Sequence, residues 1–401
     1  MPDHRHSLPL PLLLSLLMLT QTFGWGVNVS LLGVLAAPAG ADLGLSPAMV
    51  YGGATALFLC AAATGPAAGR AVDRFGGPRV LAYGSVVPAL ALALMALAQG
   101  PVLWFCAWAL QGVATHVALA TAAYGTLAQQ AGGRARRAIG TLTLATGLCA
   151  TVMWPVSSLL MQAVGWRGMC LAYAAATLVV ALPIHVWISL RAGPRGAAEA
   201  EAPATPLASS ARVFRLVAVF QTVSLVVGTS LMVLLIDIFT ALGTPRPEAI
   251  FAASLVGVAY LVSRALLVVI GERLPPVTLA AVVLVAMPLS LAPLVLWPLS
   301  GAPLPAWVAA ATAVAYGLPA GLLGILRPTI PQQVFGAASY GRALGRLARP
   351  GDLANAAAPA VFAALLAVSA SAAVLAAVAL CLVGLVAIRR LMAAVAAQGP
   401  A

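Results

Sequence analysis

The sequence predicts an all-α membrane protein of twelve transmembrane helices arranged as two six-helix halves. Three observations carry this reading. Only 7% of the 401 residues are charged and 62% are hydrophobic, whereas soluble domains carry about a quarter of their residues as charges. The mean hydropathy is +1.04, so the solvent for most of the chain is lipid. Twelve apolar runs are long enough to cross a hydrocarbon core, which takes roughly 20 helical residues. Finally, the arginines fall on alternate connections between those runs.

Taken in order, the first six runs cover residues 8–35, 47–69, 80–98, 102–129, 139–164 and 168–190. His4, Arg5 and His6 precede the first run in the manner of a secretory signal. The apolar stretch continues past Trp25 to Leu35, however, so it reads as an uncleaved first span. The second six runs cover 213–242, 249–270, 277–299, 306–330, 340–368 and 372–388. None alternates apolar and polar residues as barrel strands do, and lipid admits only helices or closed barrels. Between the two sets lies 191–212, rich in Ala, Pro, Gly and Glu and without hydrophobic period, which reads as a linker. The domain reading is therefore 1–190, a cytoplasmic linker 191–212, and 213–401.

Orientation follows from the arginines. With both termini inside, 17 of the 21 basic residues lie at cytoplasmic positions and only Arg167 and Arg246 lie outside, leaving Arg264 and Arg327 within spans. Positive charge collects on the cytoplasmic side of membrane proteins, so a multi-pass protein of a bacterial inner membrane is expected. Trp104, Trp166, Trp297 and Trp307 fall at the outer ends of their runs, where interfacial aromatics are expected. All 21 basic residues are Arg and none is Lys.

The same distribution explains the pI near 10.5 without nucleic acid. The five cysteines, Cys60, Cys106, Cys149, Cys170 and Cys381, all lie in apolar runs without zinc or redox spacing. Copper carriage would want Met, His and Cys one turn apart, and the nearest approach is Cys149 with Met153. No metal site, cofactor or nucleotide-binding loop is expected.

Between the second and third runs stands Gly69-Arg70-Ala71-Val72-Asp73-Arg74-Phe75-Gly76-Gly77-Pro78-Arg79. It resembles the loop signature of the major facilitator superfamily, carried here by Gly69, Asp73, Arg74, Gly76 and Arg79. Gly77-Pro78 stand where the signature has its first basic residue. Gly271-Glu272-Arg273 is a degraded copy at the corresponding turn of the second half, as expected of a repeated architecture. Three further stretches, Gly33–Pro38 leading to Leu43-Gly44-Leu45-Ser46, Gly165-Trp166-Arg167-Gly168 and Ser263-Arg264, loosely resemble the branch holding monocarboxylate transporters and oxalate/formate exchangers. That resemblance implies that the span-eight arginine, Arg264, faces a substrate carboxylate.

Charges inside spans cost about 2.5–3.5 kcal/mol each on insertion scales and are usually functional. Arg264 lies eight residues inside its turn, roughly 12 Å deep. Arg327 lies about five residues inside its span and reads as either a snorkelling side chain or a ligand. Asp237 reads as a proton carrier, a partner for Arg264 or a gate residue. On the eleventh run, Arg342, Arg346, Arg349, Asp352 and Asn355 trace one helical stripe, in which Arg349 and Asp352 can neutralise each other. In the first half the polar groups are Gln21, Asn28, Gln111 and His116. His116 is either a packing histidine or a group that titrates near neutral pH.

The expected function is secondary transport of a small organic anion by alternating access. Arg264, Arg327, Arg346, Arg349 and Asn28 are the candidate substrate contacts, and Asp237, His116 and Asp352 the candidate proton carriers. The expected partners are the bilayer, a small solute and protons, with the chain a monomer. Efflux of drugs or other amphipathic compounds, with Asp237 attracting a cation, and a non-transporting sensor or assembly factor are the alternatives. No nucleophile–base constellation suggests an enzyme.

Overall fold

The computed structural model describes residues 8–147, 149–192, 210–270, 274–336 and 339–396, and no strand occurs among them. His4, Arg5 and His6, linker residues 193–209 and the Gly271-Glu272-Arg273 turn lie outside the described residues. The chain divides into two compact units. One is Met1–Thr205 with Phe335–Ala356, and the other is Pro206–Val334 with Ala357–Ala401.

The first unit begins with α1 (Leu10–Gly26), α2 (Leu32–Leu43), α3 (Pro47–Phe75), α4 (Gly77–Gly84) and α5 (Val86–Ala96). It continues through α6 (Pro101–Ala114), α7 (Ala120–Gln130), α8 (Ala135–Thr146), α9 (Cys149–Ala176) and α10 (Leu182–Arg191). Two single π-helical turns, Thr115–Leu119 and Thr177–Ala181, interrupt the fourth and sixth runs. The later helices are α11 (Ala211–Ala241), α12 (Arg246–Ile270), α13 (Pro276–Leu296), α14 (Ala306–Phe335), α15 (Tyr340–Val368) and α16 (Ala370–Ala396).

Nine helices among the described residues are long and apolar enough to cross a bilayer, and the two parts of α15 together make a tenth. The shorter apolar helix α1 is the eleventh. Gly165, at φ 71°, divides α9, so that α8 with the first part of α9 covers the fifth run, and the rest of α9 with α10 covers the sixth. The left-handed backbone at Gly165 costs a glycine little, which is why the break falls between the fifth and sixth runs.

Local sequence explains where helices begin and end. The Ser46 hydroxyl accepts a hydrogen bond from the Met49 amide (3.3 Å) ahead of Pro47, and Ser210 caps α11 in the same way. The first run is not one helix: α1 ends at Gly26, a 3₁₀ turn covers Val29–Leu31, and α2 continues to Leu43. Gly24 and Gly26 weaken the helix there, and Asn28 turns inward to bond another helix. α14 runs to Phe335, five residues beyond the expected end at 330, and holds Pro319, Pro328 and Pro331 within it. Proline inside a spanning helix is tolerated where neighbours satisfy the freed carbonyls, and Gln221 Nε2 donates to the Arg327 carbonyl at 2.6 Å.

Lipid tails give helices no hydrophobic reason to associate, so packing depends on close approach. In the first unit α3 lies on α6, with Gly112 directly against the Leu57 carbonyl and Gly53 against the Trp108 ring. Trp104 and Trp108 are fully buried and stack edge to face at 5.7 Å. Here Trp104, and likewise the 7% exposed Trp166, depart from the interfacial expectation, because each is packed into the helix core. Trp307, at 70% exposure, is the surface aromatic.

Candidate functional site

The signature turn is built by Gly76. Its φ of 92° turns the chain sharply after α3, and its amide donates to the Val72 carbonyl at 3.0 Å. Gln129 on α7 braces the turn: its Oε1 accepts from the Gly77 amide (2.7 Å) and its Nε2 donates to the Val72 carbonyl (3.2 Å). A Cβ on Gly77 would stand 2.5 Å from the Thr126 backbone nitrogen. A basic side chain has no room at that place, which accounts for the departure from the signature. Arg74 and Arg79 are exposed, with the Arg74 guanidinium 5.1 Å from the Phe75 ring centre.

Asp73 holds the start of α15. Its Oδ2 accepts from the Arg342 backbone amide at 2.8 Å and lies 3.7 Å from the Arg342 Nε, with the Asp73 side chain only 6% exposed. A carboxylate at a helix N-terminus meets both free amides and the positive end of the helix dipole. Gly69 and Gly341, and one turn further Gly65 and Gly345, bring the two backbones into direct contact. α15 therefore lies backbone against backbone on α3 at Gly341 and Gly345, and its part up to Ala356 belongs to the first unit.

His116 sits two turns along this seam, in the π-helical turn between α6 and α7. A π turn inserts one extra residue and often marks a functional position. The ring is 3% exposed. Nδ1 lies 2.9 Å from the Thr121 hydroxyl and Nε2 lies 3.2 Å from Asp352 Oδ2. Two residues expected on separate helices thus form one buried pair. Asp352 is paired with His116 rather than with Arg349, which is exposed along with Arg346. The α15 stripe accordingly splits: Arg342, Arg346 and Arg349 are exposed, while Asp352 and Asn355 are buried.

Asn28 is also buried, and its side chain is spent on protein. Its Nδ2 donates to the Gln111 carbonyl and to Gln111 Oε1 at 3.1 and 3.0 Å, and its Oδ1 accepts from the Thr115 hydroxyl. Gln111 returns a bond to the Val27 carbonyl at 3.2 Å. This network fastens the end of α1 to α6 where the first run breaks.

In the second unit Arg264 crosses from α12 to α14. Its Nε donates to the Gly321 carbonyl at 2.8 Å, and its guanidinium fills the space where a side chain on Gly324 would stand. The Tyr260 ring lies 5.8 Å from the guanidinium carbon. Arg327 is one turn beyond Gly324 on the same helix and eight residues before the helix end, deeper than the sequence alone placed it. Asp237 pairs with Arg246 at 3.6 Å, not with Arg264, and its side chain is 49% exposed.

With the geometry in view, comparison with known proteins decides the family. The family model of the Major Facilitator Superfamily matches residues 14–348. The chain belongs to this superfamily. Curated proteins give no match to it. Among solved structures, the human organic anion transporter MFSD10 (TETRAN) is similar with a TM-score of 0.73 at 14% identity, covering 95% of this chain and 100% of that one. The proton:xylose symporter XylE, bound to 6-bromo-6-deoxy-D-glucose, gives 0.73 at 16% identity over 94% of each chain. The E. coli fucose:proton symporter FucP gives 0.69 at 14%, covering 94% of this chain and 98% of that one. At such identities the likeness concerns the fold. A major facilitator is a multi-pass membrane transporter of small molecules, not an enzyme.

Sequence reasoning missed several partners. Thr121, Gly65 and Gly345 complete the histidine seam, but only the π turn and the helix crossing bring them together. Asp42 was also missed. It accepts from the Arg167 guanidinium and from Trp166 Nε1 (3.2 Å), while Arg167 donates to the Ala98 carbonyl at 2.7 Å and lies 4.2 Å from the Trp166 ring centre. Its charge, alone in an apolar stretch, was the signal available.

Proposed function

We propose that this major facilitator transports a small organic anion, with Arg264 as the principal ligand. The observation that carries the reading is the placement of Arg264. Its guanidinium is drawn across a helix interface, fixed by the Gly321 carbonyl and given room by Gly324, with a second arginine, Arg327, one turn beyond that glycine on α14. Planar guanidinium forks bind carboxylates through paired, charge-assisted hydrogen bonds. The loose resemblance of Ser263-Arg264 to the monocarboxylate branch points the same way. Arg346 and Arg349, exposed on α15, are secondary contacts, whereas Asn28 acts as a brace between helices.

In this reading two halves, 1–190 and 213–401 joined by linker 191–212, alternate access to a midplane site. The contact of Asp73 with the start of α15 is one that breaks and re-forms. The arginine asymmetry supports cytoplasmic termini in a bacterial inner membrane, and the chain works as a monomer, driven by protons.

The test is uptake of labelled small carboxylates into proteoliposomes. Arg264→Ala is expected to lower uptake more than tenfold, and Asp237→Asn to leave it within about twofold, because Asp237 is half exposed and already paired. Loss confined to Asp237→Asn, with cationic compounds as the transported species, would instead favour drug efflux. No solute flux at all would favour a sensor.

A further inference from the structure

We infer that His116 and Asp352 together form a single proton-binding site, and that its occupancy decides whether the start of α15 is docked on α3. The inference deepens the transporter reading and rests on it. The ring is wedged between three elements: the π turn carries it, Asp352 on α15 faces Nε2, and Gly65 on α3 is so close that an added Cβ would stand 3.1 Å from Nε2. The same Gly65 touches Gly345, so separation of α15 from α3 pulls Asp352 away from the imidazole.

Charge accounting links the two events. With both ring nitrogens protonated the imidazolium and the carboxylate form an ion pair of zero net charge. Without the second ring proton the seam holds a lone carboxylate, and burying an uncompensated charge is costly. Binding takes one proton onto the imidazole, and the cluster charge goes from −1 to 0. Thr121 serves both forms, since its hydroxyl accepts from a protonated Nδ1 and donates to a bare one. Among the described residues, Asp352 is the charged group in hydrogen-bond contact with the ring. α1 and α5 carry no titratable group, α6 brings only Cys106 and α7 only Tyr124. Further titratable groups are Tyr51, Cys60, Arg70, Asp73 and Arg74 on α3, Arg79 and Tyr83 on α4, and Arg342, Arg346 and Arg349 on α15; the arginines are exposed, and Asp73 is engaged by Arg342.

Asn355 gives a second, independent sign of a functional seam. It lies three residues beyond Asp352 and is 1% exposed, yet neither of its amide atoms has a hydrogen-bond partner among the described residues. Buried polar groups are nearly always satisfied, so this open amide sets the helix turn after Asp352 apart from ordinary packing.

The experiment uses the full chain in nanodiscs, native cysteines replaced by alanine, with spin labels at Arg70→Cys on α3 and at the exposed Leu353→Cys on α15. The distance distribution is recorded from pH 9 to pH 5. The short, docked distance is expected to gain population as pH falls, over a range of about two pH units, as a single-proton step requires. His116→Gln and Asp352→Asn should each abolish the pH dependence, and His185→Gln should keep it. Two substitutions are used so that a folding defect in one does not decide the result. A distribution flat in pH overturns the proton site, and so does a pH dependence that survives both substitutions. Carboxylate uptake is measured on the same variants. Uptake that persists alongside a flat distribution removes the proton site while leaving the anion reading in place.

Discussion

A guanidinium inside a helix bundle has five donors to place, and Arg264 places its Nε on the Gly321 carbonyl while the rest of the fork lies over Gly324. The position of the charge therefore depends on an absent side chain. Gly324→Ala should push the guanidinium aside and weaken carboxylate binding by about tenfold, since small displacements of a positioning group cost that much or more. Isothermal titration with a transported carboxylate reads this, and unchanged affinity would show that the notch is incidental. At the opposite extreme of exposure stands Asp42. The hydrogen bond from Arg167 holds its carboxyl below the ordinary value of 3.8. A lowered carboxylate pKa adds stability that is complete above the unfolded value, about 3.9, and is lost as pH falls through the folded one. The difference in Tm between the protein and Asp42→Asn should thus stay constant from pH 8 down to about 5 and close below about 4. A difference that closes already at pH 6 would assign the effect to another group.

Helix by helix, the spans were legible because charge is so scarce that each apolar run stands out. The run at 340–368 coincides with α15, and the break between the fifth and sixth runs coincides with Gly165. What the sequence hid has physical reasons. His116 and Asp352 lie 236 residues apart on different elements, so no count of residues per turn along one helix could bring them together. The split of the first run was hidden because Gly24, Gly26 and Asn28 are all compatible with a spanning helix until Gln111 is seen opposite. Trp104 was misplaced because a tryptophan near a span end looks the same whether it faces headgroups or Trp108. Close backbone contact makes a prediction at this scale. A Cβ on Gly345 would overlap the Gly65 carbonyl, so Gly345→Ala must separate α3 from α15. Overpacking of this kind costs about 1–3 kcal/mol, and the short spin-label distance between α3 and α15 should lose population at every pH. If that distance is retained, the contact is softer than described.

For the molecule as a whole, the family and fold follow from twelve apolar runs, one turn signature and the solved structures that share the architecture. The substrate does not follow from the fold, because MFSD10 and XylE, named for an organic anion and for xylose, are equally similar to this chain. It has to be argued from the few charges left inside the spans, and Arg264 is the best held of them. A ligand that binds only the folded protein raises its apparent stability, by about 2.7 kcal/mol at one hundred times its Kd. The most direct measurement is therefore the Tm of the purified protein against a panel of small carboxylates, sugars, divalent metals and cationic drugs. Saturable stabilisation by carboxylates alone is expected, abolished in Arg264→Ala and retained in Asp237→Asn. Stabilisation by a sugar or a cation, or by carboxylates to the same extent in Arg264→Ala, would contradict it.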